Sequence, residues 1–171
     1  MLTPLLTRRD LLKGLGLAAL TVAAPACKRS PSPSNTTSAP TWPRTTTHEG
    51  IEMVELFPNG ATESSPLIVF IHGMGGRPEH AIDWWSKRCP HKAHVLLPRA
   101  FDPLGDGYTW FEFRDGMTDE QFGAAVGAAE ARLWKGLAAV AGNRHIIVTG
   151  FSQGGILSFA MASRHPDSIA Y

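Results

Sequence analysis

From residue 49 onward the chain alternates short apolar runs with longer segments whose apolar residues recur every third or fourth position. Four runs read as strands: residues 51–57, 67–71, 93–97 (closed by Pro98) and 145–149. The unbroken run LIVFI at 67–71 is what a central strand buried on both faces requires. Asn59-Gly60 marks a turn after the first run. Between the runs, residues 78–88 carry Ala81, Ile82, Trp84 and Trp85 at near-helical spacing, with Pro78 in the first turn. Thr118 and Gln121 form a capping-box pair ahead of Phe122, Val126, Ala129, Leu133, Leu137 and Val140, and Gly142-Asn143 ends that helix. Residues 156–163 are apolar and small and stop before Arg164-His165-Pro166. Ser168 to Tyr171 reads as the entry to a further strand. This alternation predicts an α/β fold: a mostly parallel sheet with helices on both faces, in three layers. A sheet of this type normally continues for several more β–α units, so the fold is expected to be truncated after the helix at 156–163.

The first 48 residues follow another logic. Thr7-Arg8-Arg9-Asp10-Leu11-Leu12-Lys13 precedes an apolar stretch at 14–24 that is too short to span a bilayer. Residues 1–26 therefore read as an export signal of the twin-arginine type. Cys27 follows at a position compatible with a lipidated lipoprotein cysteine. Ala24-Pro25-Ala26 equally suits ordinary cleavage to a soluble secreted form. Residues 27–48 (including "KRSPSPSNTTSAPTWPRTTT") are Ser/Thr/Pro-rich and read as a disordered linker, which leaves 49–171 as the folded domain. Membrane attachment, where it occurs, is expected through acylated Cys27. Cys89 is the only other cysteine, and a bridge to Cys27 is not expected.

Composition removes some classes of function. With a formal charge of +1 and 18% charged residues, nothing in the balance points to nucleic acid. His80, His91 and His94 cluster near Cys89, but "HKAH" before a strand reads as a solvated loop rather than a metal site. No metal or cofactor is expected.

Candidate chemistry centres on GFSQGG, residues 150–155. A G-x-S-x-G sequence between a buried strand and a helix is the context of a nucleophile elbow. Gly150 and Gly154 flank Ser152 and remove the Cβ atoms that would clash in so tight a turn. A serine nucleophile needs donors for the oxyanion. The backbone N–H of Gln153 is one candidate, and that of Met74, in the Gly-rich loop His72-Gly73-Met74-Gly75-Gly76, is the other. The same loop could cradle phosphate, but it lacks the Gly-Lys-Ser/Thr ending of a P-loop.

Together "LIVFIHGMGG", "LLPRA…GYTWFEF" and "IIVTGFSQGG…RHP" resemble the phospholipase/carboxylesterase family of α/β-hydrolases, which includes acyl-protein thioesterases. The likeness runs from Leu67 to the end. It implies hydrolysis of esters or thioesters through an acyl-enzyme, with Ser152 as nucleophile, Met74 and Gln153 as oxyanion donors, and a small-molecule acyl substrate. Tyr108 and Trp110 fall where the family walls its acyl pocket. Core packing is the competing reading for Trp110 and the favoured one for Phe111, Phe113 and Trp84.

One departure is serious. In α/β-hydrolases the triad runs serine, acid, histidine along the chain. After Ser152 stand only His165 and Asp167, in the wrong order and at the far end of the following helix. His145 starts its strand at the opposite end of the sheet, and His72 reads as a structural part of the oxyanion loop. The triad acid and histidine are thus expected beyond Tyr171, and the 171 residues alone are expected to be inactive. Extracellular esters suit an exported enzyme. A non-catalytic surface lipoprotein on a degenerate hydrolase scaffold, or a non-functional remnant, are the alternatives.

Overall fold

The computed structural model describes residues 42–89 and 91–170. The expected signal at 1–26, Cys27, the linker as far as residue 41, and Tyr171 lie outside the described residues. LIVFI forms strand β3 (Leu67–Ile71) at an interior position of a five-stranded sheet ordered β1-β2-β4-β3-β7. β1 is Arg44–His48, β2 Ile51–Leu56, β4 His94–Pro98 and β7 Ile146–Gly150. β3 pairs in parallel with β4 and β7, whereas β2 runs antiparallel to both β1 and β4. The sheet is therefore mixed, parallel only in its β4–β3–β7 half.

Helix α1 (Glu79–Arg88) covers one face, and α2 (Asp119–Ala141) and α3 (Gln153–Arg164) cover the other. Strand residues alternate between the two layers even where every position is apolar. Leu67, Val69 and Ile71 pack under α2 and α3, while Ile68 and Phe70 face Trp85 of α1. The capping box forms as the spacing predicts: Gln121 N–H donates to Thr118 Oγ1 at 3.2 Å, and Thr118 N–H to Gln121 Oε1 at 3.0 Å. The tail beyond α3 begins to add a strand, since Ile146 N–H donates to Ser168 O and Ala170 N–H to Ile146 O.

Three expectations are corrected. The linker does not reach residue 48, because RTTTH is strand β1, hairpin-paired to β2 from Arg44↔Glu55 to His48↔Ile51. Its turn, Glu49-Gly50, has both residues at positive φ (51° and 73°), as a two-residue hairpin of right-handed twist demands. Thr45 and Thr47 point to solvent while Arg44, Thr46 and His48 are half-buried, so a threonine-rich stretch supplied period-two alternation rather than a spacer. His94 is not in a solvated loop but buried at the start of β4, its ring stacked on Phe57 at 4.6 Å. Trp84 and Phe113 are 48% and 58% exposed rather than core. Neighbouring helix positions diverge by about 100°, so of Trp84 and Trp85 only Trp85 reaches the sheet. A short hairpin, β5 (Asp102–Leu104) with β6 (Gly107–Thr109), was not anticipated.

The antiparallel strands are held by a buried carboxylate. Glu55 accepts from Arg44 Nη2 (2.8 Å), Thr46 Oγ1 (2.6 Å) and His94 Nε2 (3.0 Å), which ties β1, β2 and β4 together. Arg144 donates to His94 Nδ1 at 3.3 Å, which leaves Nε2–H to face Glu55. Burial acts to raise the Glu55 pKa, but the hydrogen bonds from His94, Thr46 and Arg44 outweigh it and hold the carboxyl far below the usual 4.5. Above pH 4.5 the group is ionised both folded and unfolded, and its contribution is fully present. As the pH falls further, the unfolded chain takes up the proton first and the contribution drains away. Glu55→Gln should thus lower stability by about 3 kcal/mol at neutral pH. It should also flatten the loss of stability below pH 4.5, as read by urea denaturation across pH 2.5–7; parallel acid arms for the two proteins would refute it.

Candidate active site

Ser152 stands between the end of β7 and the first residue of α3, with φ 52° and ψ −119°. That conformation is sterically costly for any residue with a Cβ, and it persists only where the surroundings fix it. Two glycines fix it here. A Cβ on Gly154 would lie 1.9 Å from Ile71 O, and one on Gly150 would lie 2.4 Å from the Gly154 carbonyl carbon. The first turn of α3 therefore sits directly on the carboxyl end of β3. Phe151 N–H donates to Ile71 O at 3.1 Å and completes the bend. Ser152 is exposed at the amino-terminal end of a helix of 12 residues, where the backbone dipoles favour developing negative charge.

The Gly-rich loop after β3 lies beside it. A Cβ on Gly73 would come within 3.3 Å of Ser152 Cβ and 3.1 Å of Phe151 Cδ1, a tight fit that glycine relieves. Gly75 and Gly76 spend their polar groups on the loop's own shape: Gly75 N–H donates to Tyr108 O (2.8 Å) and Gly76 N–H to Gly73 O (3.0 Å). Among the described residues, the N–H groups of Met74 and Gln153 have no internal acceptor. Met74 itself is half exposed. Two free donors thus flank an exposed hydroxyl.

A strap of residues 107–111 holds both sides. Tyr108 N–H donates to Gly76 O (3.1 Å), and Trp110 Nε1 donates to His72 O (2.7 Å), which secures the loop. On the elbow side the buried Gln153 amide saturates itself on the strap. Its Oε1 accepts from Thr109 Oγ1 (3.0 Å) and Trp110 N–H (3.1 Å), and its Nε2 donates to Phe111 O (3.0 Å). The sequence pointed to the Gln153 backbone alone; its side chain, which joins the two halves of the site, was missed. A glutamine directly after the elbow serine was the available signal.

Trp110 is only 1% exposed and packs against His72 and Phe101, so it is core rather than a wall of an acyl pocket. Phe111 is buried as well, as anticipated. Tyr108 lies under the guanidinium of Arg99, and its hydroxyl accepts from Arg99 Nη1 at 2.9 Å. A cavity of about 530 Å³ opens beside the elbow, lined instead by Phe70, Trp84, Trp85, Phe151, Arg77 and His80, together with Gly73.

No described imidazole hydrogen-bonds to Ser152. His72 Nε2 accepts from Ala100 N–H (3.3 Å), and its Nδ1–H is directed to Gly73 O (2.7 Å), so both ring nitrogens are committed. Burial pushes its pKa down, which favours this neutral form. His165 closes the far end of α3, about 20 Å along the helix axis. It pairs with buried Glu130 (2.8 Å) and stacks on Trp134 at 3.8 Å.

No curated protein matches the chain. Solved structures do. Esterase PE8 is 26% identical with a TM-score of 0.51, over 66% of this chain and 57% of its own. A carboxylesterase from Mesorhizobium loti is 22% identical with a TM-score of 0.53, over 69% of this chain and 56% of its own. A membrane phospholipase A, described as a bacterial virulence factor, is 22% identical with a TM-score of 0.50, over 74% of this chain but only 36% of its own. This chain thus spans between about a third and just over half of these neighbours. The phospholipase/carboxylesterase family model matches residues 57–170. An elbow serine, a Gly-rich loop at van der Waals distance from it, and two free backbone donors on a mixed α/β sheet agree with that match: the chain belongs to the phospholipase/carboxylesterase family of α/β-hydrolases.

Proposed function

We propose that Ser152 is the nucleophile of an exported carboxylic ester or thioester hydrolase. The observation that carries this reading is the strained φ of Ser152, maintained beside the Gly73 backbone and between two unengaged N–H donors. Ser152 Oγ attacks the acyl carbonyl carbon. The negative charge that develops on the carbonyl oxygen is received by Met74 N–H and Gln153 N–H. The alcohol or thiol departs with a proton, and water then cleaves the acyl-serine. A serine hydroxyl needs a base for the first step. His72 and His165 are committed elsewhere, and no described imidazole hydrogen-bonds to Ser152. Residues 1–26 would direct export by the twin-arginine route, and an acylated Cys27 would tether the enzyme to a membrane.

The test of the nucleophile is labelling of the whole protein with a fluorophosphonate probe, which phosphonylates only an activated serine. Wild type should label and Ser152→Ala should not; equal labelling removes Ser152 from the mechanism. Failure of both to label favours a non-catalytic module on this scaffold.

Gln153 is proposed as a positioning residue as well as a donor. Its amide fixes the strap that fixes the Met74 loop. Gln153→Ala should retain labelling but slow it about 10- to 100-fold, short of the effect of deleting an oxyanion donor outright. Gln153→Glu still accepts from Thr109 and Trp110 and should recover part of that rate. A rate for Gln153→Glu no better than for Gln153→Ala, with equal thermal midpoints, would rule the clamp out.

A further inference from the structure

The cavity beside the elbow carries a charge that nothing among the described residues answers. Its walls are apolar and aromatic, from Phe70, Trp84, Trp85 and Phe151, yet Arg77 lines it too. Among the described residues the Arg77 side chain makes no ion pair and no hydrogen bond, and its Nε is buried without a partner. The nearest carboxylate in sequence is drawn off, since Glu79 is bound by Arg99 together with Glu52. A buried donor with no acceptor is unfavourable by about 1–3 kcal/mol, and a guanidinium in an apolar cavity calls for an anion. Arg77 also directly precedes Pro78, the N-cap of the ten-residue helix α1, whose dipole adds positive potential at the same place.

We propose that this cavity is an anion subsite, with Arg77 binding a carboxylate or phosphodiester group of the substrate. The proposal rests on the ester-hydrolase reading and names its substrate class: esters whose apolar or aryl segment ends in a negative group. Gly73 and Phe151, the chain neighbours of Met74 and Ser152, line the same cavity. An acyl carbonyl at Ser152 would thus place its apolar segment along Trp84, Trp85 and Phe70, and its anionic end on Arg77. The planar guanidinium can engage either oxyanion in a two-point hydrogen bond. His80, at the same cavity, supplies a further ring nitrogen.

The experiment measures binding, not turnover, on the whole protein carrying Ser152→Ala. The probes are 4-phenylbutyrate, its neutral isostere 4-phenylbutanamide, and methyl 3-phenylpropyl phosphate, followed by calorimetry and by quenching of tryptophan fluorescence. At least one anion should bind about tenfold more tightly than the amide, a gap of about 1.4 kcal/mol. The tighter of the two anions tells carboxylate from phosphodiester. In Arg77→Gln that preference should fall to near unity, and in Arg77→Lys it should stand between. Equal binding of anions and amide by the unaltered cavity, or an undiminished preference in Arg77→Gln, would overturn the subsite. Loss of Ser152 labelling with the anion preference intact would instead overturn the hydrolase reading and leave the subsite standing.

Discussion

The contact between the first turn of α3 and the carboxyl end of β3 governs the rest of this structure. Gly154 lies so near Ile71 O that a methyl group in its place would overlap the carbonyl, and Gly150 lies equally near Gly154. Once those backbones touch, the chain from β7 into α3 has a single tight path, and Ser152 must take up positive φ to follow it. The same approach brings Ile71, and therefore the loop that leaves it, alongside the serine. Gly73 at that junction fits the same condition: a Cβ there would be tight against Phe151 and Ser152. Ser152 and the Gly-rich loop after β3 are thus set by one steric condition rather than by two independent folds of the chain.

Steric closeness does not fix donor directions, and here polar satisfaction takes over. The strap from Gly107 to Phe111 has few backbone partners of its own beyond a three-residue hairpin. Its remaining groups are answered by the loop on one side and by the Gln153 amide on the other. Gln153 is buried with both ends of its amide bonded, so a shift of the strap would strand groups on both sides of the site. Trp110 serves the same end: its indole N–H on His72 O fills the core and anchors the loop at once. The aromatic segment is a brace for the site and not its wall.

Legibility followed the range of the forces involved. LIVFI and the capping box at Thr118 and Gln121 are local requirements, and the glycines around Ser152 mark a tight turn, so the residues declare them. β1 was hidden because threonines alternate without being apolar, and because Glu55, eleven residues on from Arg44, gives the strand its reason to fold back. His94 looked like a loop residue for the same cause: its partners Glu55, Phe57 and Arg144 are 39, 37 and 50 positions away. The Gln153 side chain and the solitary Arg77 belong to this class as well. Their meaning lies in which groups do or do not meet them across the fold, and periodicity carries no trace of that.

The two ends of the sheet divide the work. At one end, Glu55, His94 and Arg144 bind antiparallel and parallel halves together through satisfied charge; at the other, backbone strain and unengaged donors accumulate around Ser152. β7 links these ends and is bonded unequally. On its β3 side it is paired along its whole length, from Leu67↔Ile146 to Ile71↔Gly150. On its outer side the only bridge among the described residues is Ile146 with Ile169, and Ile147 of β7 remains exposed. An open edge flanked by apolar side chains is a template for further strand. Any strand that extends the pairing from Ile146 toward Gly150 would restrain the residue that carries Ser152 into its strained turn. Occupancy of that edge and the geometry of Ser152 are therefore coupled, and the elbow is held firmly from β3 alone.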